Sequence, residues 1–517
     1  MAKRTTKKTK QETPAQRLSA IIKSCRQIMR KDKGLNGDAD RLPMLTWLMF
    51  LKFMDDMEQQ EETKALLEDR TYKPVITSPY RWRDWAKNQG WTGDVLLEFI
   101  NNETTHLPDG SEGTGLLYYL RGLQSETGKS RKDVLSTVFK GLNNRMINGY
   151  LLRELVNKID GIHFTSNEEV NTLSLLYESL LREMRDAAGD AGEFYTPRPV
   201  VKFMVEMINP QLGETILDPA AGTGGFLVSA FEHLKKQANS ISQRETLQQA
   251  TIKGGEAKPL PYLLCQMNLL LHGLDYPDID SQNSLRFKLQ DIGDSERVDI
   301  IITNPPFGGE EEKGILNNFP SDKKTAETTL LFLQLIMRKL RRKTPMQSGG
   351  RAAVVVPNGT LFSDGVAARI KLQLLQEFNL HTIVRLGDGV FAPYTDIPSN
   401  LLFFQHGQPT EHIWYYELLP PEGRKKYSKT KPLQNQELED IKAWWNQRKE
   451  TQHAWCVELK DILKTDEFSR PILNLDLKNP NRKNEYEYKE PSILMLSIAE
   501  KEKEINKILV ELEKSLL

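Results

Sequence analysis

Residues 215–226 read Thr-Ile-Leu-Asp-Pro-Ala-Ala-Gly-Thr-Gly-Gly-Phe, and their order decides the fold: a short apolar run, a glycine-rich turn, then the apolar spacing of a helix. Glycines remove the side chains that would keep backbone away from a ligand, and a carboxylate at the strand end, Asp218, can accept hydrogen bonds from a cationic or hydroxylated group. The turn lacks the Lys-Ser/Thr ending of a phosphate-cradling loop and the G-x-G-x-x-G spacing of a dinucleotide site. Alone, it is also a turn that many sheet proteins use only structurally.

Working outward, short apolar runs alternate with longer helical patterns over residues 187–410, the texture of an α/β domain with a doubly wound, mainly parallel sheet. Strands are predicted at Thr215–Leu217, Val298–Thr303, Ala352–Val356, Thr382–Leu386 and Leu401–Phe404, with helices at Leu260–His272 and Thr328–Leu340. Ligands of such a sheet gather at the carboxyl ends of its strands.

Residues 13–186 form an all-helical N-terminal domain in this reading. Leu18, Ile21, Ile22, Cys25, Ile28 and Met29 fall on one stripe at helical spacing. The most apolar stretch, Leu42–Met54, is broken by Thr46 and Lys52 and runs into Asp55 and Asp56, so it reads as a buried helix. Lys33–Gly37 and Pro108–Gly115 read as loops. Ser166 and Glu169 form a capping box ahead of a helix over Val170–Met184, and Ala187–Gly192 reads as a hinge. Residues 1–12 are a basic tail. Residues 411–517 are polar with Lys-rich loops and end in a helix carrying Ile498, Ile505, Ile508, Leu509, Leu512 and Leu516 on one side.

A second motif, Asn304-Pro305-Pro306-Phe307, follows Val298–Thr303 directly. Two prolines forbid helix and fix an extended backbone, so Asn304 is held rigidly at a strand tip with an aromatic ring three residues on. A plain strand-ending turn has the same outline.

Bulk properties bound the function. The chain has 517 residues, enough for two or three domains, with 39% hydrophobic and 27% charged residues. No apolar run approaches the roughly 18 residues of a spanning helix, and Met1–Lys10 has no apolar segment behind it. A membrane role is excluded and a cytoplasmic location expected. Cys25, Cys265 and Cys456 are too scattered for a disulfide framework or a zinc site, so no metal is expected. Seventy basic residues balance seventy acidic ones. If the chain contacts nucleic acid, either its positive charge is gathered on one face or a partner chain supplies much of the grip. The basic runs Lys3–Lys10 and Arg338–Lys343 read as a solvated tail and helix end.

Taken together, the two motifs resemble the amino-methyltransferases, whose signatures are a D-P-A-x-G-S/T-G loop and N/D-P-P-Y/F. The resemblance implies a Rossmann-like domain dependent on S-adenosyl-L-methionine. Asp218, Pro219, Ala220, Gly222, Thr223, Gly224, Gly225 and Phe226 would bind that cofactor, and Asn304, Pro305, Pro306 and Phe307 would form the catalytic tetrapeptide acting on the N6 amino group of adenine. It further implies cofactor contacts from Phe194, Tyr195, Thr196 and Pro197, where the family has a Y/F-T-P segment, and from Glu256 as the ribose-binding acid. Asn283 and Ser284 stand where many relatives have an Asp near the cofactor adenine.

Only a short stretch separates Asp218 from Asn304, so a DNA-reading domain must lie elsewhere. With a helical front and a short tail, the layout is similar to the modification subunit of type I restriction-modification systems. That resemblance implies double-stranded DNA as substrate, and two copies joined to one specificity subunit that reads the sequence. It also implies a restriction/translocase subunit in the larger complex. Two alternatives stay open: a self-sufficient methyltransferase acting on DNA, RNA or a glutamine amide, and a non-catalytic cofactor-binding structural subunit.

Overall fold

The stripe read from the first helix is buried: Leu18, Ile22, Cys25, Ile28 and Met29 line the inner side of Pro14–Met29, with Ile21 packed beside them. The computed structural model describes residues 14–126, 130–162, 196–249, 251–468, 470–482 and 491–516. The basic tail, the capping-box helix, the Ala187–Gly192 hinge, Phe194 and Tyr195 lie outside the described residues.

The long helix Asp38–Leu67 carries the apolar stretch, and every residue of Met44–Asp56 is buried. Its charges are tolerated because they are matched: Lys52 pairs with Asp56 one turn on, and Asp55 with Arg83 at 2.8 Å. Helices Gly93–Asn101, Leu116–Arg121, Arg131–Lys140 and Gly149–Asp160 close around it. Two of them start on side-chain caps: Ser130 in a capping box with Asp133, and Asn148 accepting from the N–H groups of Tyr150 and Leu151. The stretch Pro108–Gly115, expected as loop, contains half of a small hairpin. There β1 (Thr104–His106) pairs antiparallel with β2 (Glu112–Thr114); three polar, mostly exposed residues per strand give no alternation to read.

The second layer system is a nine-stranded sheet. In chain order its strands are β3 (Ile216–Asp218), β4 (Ile252–Gly255), β5 (Asp278–Asp280), β6 (Ile300–Thr303), β7 (Arg351–Pro357), β8 (Phe378–Arg385), β9 (Ser399–His406), β10 (His412–Glu417) and β11 (Ala454–Glu458). Across the sheet they run β11-β10-β8-β9-β7-β6-β3-β4-β5. From β5 to β7 all pairings are parallel; β9 is antiparallel to both β7 and β8, and β11 to β10. Alternate residues face opposite layers: Ile300, Ile302, Ala353, Val355, Leu401 and Phe403 enter one core, and Ile301, Ala352, Val354, Leu402 and Phe404 the other. Apolar surface on both faces is what makes these strands read as continuous hydrophobic runs.

All five predicted strands exist, shifted at their ends. Four more were not announced by the sequence: β4, β5, β10 and β11. β4 is Ile-Lys-Gly-Gly, and its glycines are forced by crowding, since a Cβ on Gly255 would lie 2.3 Å from Ser284 Oγ and one on Gly254 2.8 Å from the Ile279 side chain. β10 and β11 extend the sheet beyond residue 410 inside a polar context. The helices expected at Leu260–His272 and Thr328–Leu340 are Pro259–Leu271 and Thr328–Lys339. The basic run after the latter is not simply solvated: Arg338 donates to the carbonyls of Leu289, Gln290 and Ile292, and Arg341 pairs with Asp299 at 2.7 Å.

Pro259–Leu271 joins the two systems. Leu263, Leu264, Met267, Leu270 and Leu271 belong to the core of the helical region, while Tyr262, Cys265 and Leu269 belong to the core under the sheet. The chain closes in the helix Pro491–Leu516, where Ile498, Ile505, Ile508 and Leu509 are each more than half exposed.

Candidate active site

Because β5, β4, β3 and β6 are parallel neighbours, their carboxyl ends share one edge of the sheet. Asp218 ends β3, Glu256 follows β4, Asp280 ends β5 with Asn283 and Ser284 just beyond, and Asn304 follows β6. Adjacent strands lie about 4.8 Å apart, so the glycine turn and the Asn-Pro-Pro-Phe corner open on the same side.

Hydrogen bonds knit the turn to its neighbours. The Ala221 N–H donates to the Gly255 carbonyl at 2.9 Å, the Gly222 N–H to Glu256 Oε2 at 2.9 Å, and Ser284 Oγ to the Pro219 carbonyl at 2.7 Å. The other oxygen of Glu256 accepts from the Lys258 N–H at 2.8 Å. Gly222 and Gly224 have φ of 55° and 79°, the left-handed region in which a side chain is strained. Gly224 is the N-cap of the helix Gly225–Lys235, so that helix points its free N–H groups at the turn. The Phe226 ring packs in the core under the sheet and anchors the first turn of that helix.

The Asp218 carboxyl is 1% exposed. Burial pushes its pKa up to about 7; the Ala220 N–H, which donates to Oδ1 at 3.1 Å, and the adjacent Thr303 hydroxyl pull it back, while Glu256 pushes further upward. No well-aligned partner claims the Thr303 hydroxyl among the described residues. Asn283 is engaged within the chain: its Oδ1 accepts from the Leu285 N–H at 2.9 Å and its Nδ2 donates to Glu311 at 3.2 Å.

At the second corner, Asn304 Nδ2 donates to Thr196 Oγ1 at 3.0 Å. Thr196 is held at the entry of the helix Arg198–Ile208, which Pro197 caps. With the nitrogen so engaged, Asn304 Oδ1 is left buried with no partner among the described residues, and no described donor reaches the Pro305 carbonyl. The Thr329 hydroxyl fixes the Pro306 carbonyl at 3.0 Å. Phe307 stands half-buried, edge-on to Phe391, with ring centroids 6.4 Å apart.

Two residues not singled out from the sequence stand beside these. Phe391 faces Phe307 from the loop after β8, and Asn268 Nδ2 donates to the Thr223 carbonyl at 2.9 Å. Asn268, with Gln266 one of two amides in the otherwise apolar stretch Leu263–Leu271, carries a signal that could have found it, since a buried amide must meet a partner. A cavity of about 310 Å³ lies elsewhere, lined by Arg297, Arg338, Arg342, Glu377 and His406 at the opposite ends of the strands.

Residues 168–484 match the family described as N-6 DNA Methylase, and residues 18–159 match the HsdM N-terminal domain. The chain belongs to the N-6 DNA methylase family. It is 46% identical over 474 residues to the type I restriction enzyme EcoEI methylase subunit of Escherichia coli, covering 90% of both chains. A crystal structure from Vibrio vulnificus YJ016, of a modification subunit assigned to a type I restriction enzyme, superposes with a TM-score of 0.87 at 64% identity, over 92% of this chain and 99% of that one. A chain from a structural study of assembly and conformational transition in a type I restriction-modification system gives 0.71 at 37% identity, over 98% and 99%. Among N-6 DNA methylases, then, this is a type I methylase subunit, an adenine-specific DNA methyltransferase and part of a type I complex. Membership implies S-adenosylmethionine as the methyl donor.

Proposed function

We propose that the edge formed by β5, β4, β3 and β6 is where this methyltransferase joins its two substrates. The turn Asp218–Gly225 takes S-adenosylmethionine, with Phe226 as its anchor. Glu256 faces the ribose hydroxyls and Asp218 the cationic methionine end, with Thr196, Pro197, Asn283 and Ser284 beside them; Phe194 and Tyr195 are proposed as further cofactor contacts. Acceptor-rich walls and helix N–H groups fit a ligand carrying hydroxyls, an ammonium and a carboxylate. Bound there, the cofactor supplies an electrophilic methyl carbon.

The observation that carries this reading is the buried Asn304 Oδ1, which has no partner among the described residues. Leaving such an acceptor unmet costs about 1–3 kcal/mol, and it is retained because a ligand N–H meets it. The exocyclic amine of adenine is a poor nucleophile because its lone pair is delocalised into the ring. Asn304 Oδ1 and the Pro305 carbonyl accept its two hydrogens, favouring a pyramidal nitrogen whose lone pair points at the methyl group. The proton leaves after transfer. Uncharged acceptors suffice, so the chain needs no catalytic histidine. The adenine must leave the duplex to reach this corner, and Phe307 stacks on it while Phe391 narrows the slot.

In the same reading residues 13–186 are the helical domain, 187–410 the catalytic domain and 411–517 a C-terminal region that adds β10 and β11 to the sheet and ends in a partner-docking helix, with the enzyme acting in the cytoplasm. Two such chains join one specificity subunit that reads the DNA sequence and supplies much of the phosphate contact, and a restriction/translocase subunit adds to them. The apolar row Ile498, Ile505, Ile508 and Leu509 is the proposed contact with the specificity chain. Deleting residues 498–517 should then abolish that association, and intact assembly would exclude the helix from the interface. Asn304→Ala tests the site: it should eliminate methyl transfer to DNA and leave S-adenosylmethionine affinity nearly unchanged. Full transfer by that variant would overturn the mechanism.

A further inference from the structure

Eleven consecutive residues of Pro259–Leu271, from Pro261 onward, are buried, because the helix is covered on two sides by different parts of the molecule. One side sits in the core of the helical region, and Arg131 of that region pairs with Asp275 just past the helix end. The other side carries the glycine turn. Asn268 holds the Thr223 carbonyl at 2.9 Å, and the next residue, Gly224, rests on Cys265 so closely that a Cβ would come within 2.9 Å of Sγ. Lys258, the N-cap of the helix, donates its N–H to Glu256. The turn thus rests on the middle of the helix, and Glu256 on its start.

We infer that Asn268 is a positioning residue for the cofactor turn, and that through Pro259–Leu271 the packing of the helical region sets the turn's geometry and so its affinity for S-adenosylmethionine. The inference rests on the cofactor reading above. Glycine-rich backbone has the most conformations to lose, and a donor to the Thr223 carbonyl selects one of them. Without it the competent turn is populated only part of the time, and the apparent dissociation constant rises by the inverse of that fraction. A side chain that reaches no ligand thereby controls binding. Met267, one residue earlier on the other side of the helix, transmits the position of the helical region to the same turn.

The test uses the full chain assembled with its complex. Asn268→Asp keeps the size of the side chain and replaces the donor with an acceptor. It should raise Kd and KM for S-adenosylmethionine about tenfold, with kcat and the KM for DNA within about twofold when measured below the variant's melting temperature. Met267→Ala should raise the cofactor KM in the same direction, about threefold. Should Asn268→Asp fail to fold, Asn268→Ser makes the same comparison. A purely structural role predicts the opposite split: a smaller active fraction, seen as lower apparent kcat, at unchanged cofactor KM. That result, or wild-type cofactor affinity in the Asn268 variant, overturns the inference and leaves the cofactor reading intact. Failure of the wild-type complex to bind S-adenosylmethionine overturns both.

Discussion

Thr196 and Asn304, 108 residues apart in the chain, meet through one hydrogen bond: the threonine hydroxyl accepts from the asparagine Nδ2 at 3.0 Å. That bond leaves the amide oxygen, the acceptor proposed for the substrate amine, with no partner among the described residues. Thr196→Val removes the partner without changing the shape of the side chain, so the amide loses its fixed orientation. A neutral hydrogen bond contributes about 0.5–1.5 kcal/mol, and 1.36 kcal/mol is tenfold in rate. Single-turnover methyl transfer should therefore slow by roughly two- to thirteenfold. An unchanged rate would show that the bond does not orient the amide.

Phe307 should matter for holding the extruded base. Stacking on an aromatic ring is worth about 1–3 kcal/mol per base, so Phe307→Ala should weaken capture of the target adenine by at least about fivefold, and Phe307→Tyr should preserve it. Fluorescence of 2-aminopurine placed at the target position reads extrusion directly. Equal signals from wild type and the alanine variant would remove stacking from the account.

Asp218 predicts a pH dependence. Its folded pKa, about 7, exceeds the ordinary 3.8, so the folded chain holds a proton there that the unfolded chain has released. Its contribution to stability is full below the ordinary value and is lost as pH rises through about 7. A cationic ligand group favours the carboxylate and so has the opposite sense: cofactor affinity should fall as pH drops below about 7, with proton release on binding. Calorimetry in buffers of different ionisation enthalpy measures that release. Asp218→Asn should abolish it, and release persisting in the variant would assign the proton elsewhere.

Lys371 should be a stability determinant. It is 1% exposed, burial lowers its pKa to about 8, and its ammonium donates to the carbonyls of Leu361, Ser363 and Leu473. Lys371→Met leaves those buried acceptors without a donor, at about 1–3 kcal/mol each before relaxation. Denaturant unfolding should show a loss of about 2–4 kcal/mol in all; a change below about 0.5 kcal/mol would show that water replaces the ammonium freely.

Strands with apolar residues on both faces, such as Ile300–Thr303, were legible in the sequence because nothing but burial explains such a run. β4 was not, because the property that makes it useful hides it: Gly255 is small so that the Pro219 and Ser284 loops can close over it, and Gly254 so that the Ile279 and Leu227 side chains can pack against it. Strand β10 alternates as it should, Ile413 and Tyr415 to one core and Trp414 and Tyr416 toward the other, but six residues between polar loops give little periodicity. The two motifs were readable as units. That Thr196 would grip Asn304, or that Asn283 would spend its amide on Glu311, depends on which atoms tertiary packing brings together, and spacing along a chain does not encode that.

Strand β9 lies between β7 and β8 although it is made after both. While the chain emerges from the ribosome, β5, β4, β3, β6 and β7 can assemble, but β8 has nothing to pair with until Ser399–His406 arrives. During that interval the edge of β7 is open and bears Ala352–Val356, an apolar template on which a second nascent copy can build. Synthesis that stalls or terminates before Ser399 should therefore leave that edge open to aggregation even though every residue of the glycine turn and the Asn-Pro-Pro-Phe corner has already been translated.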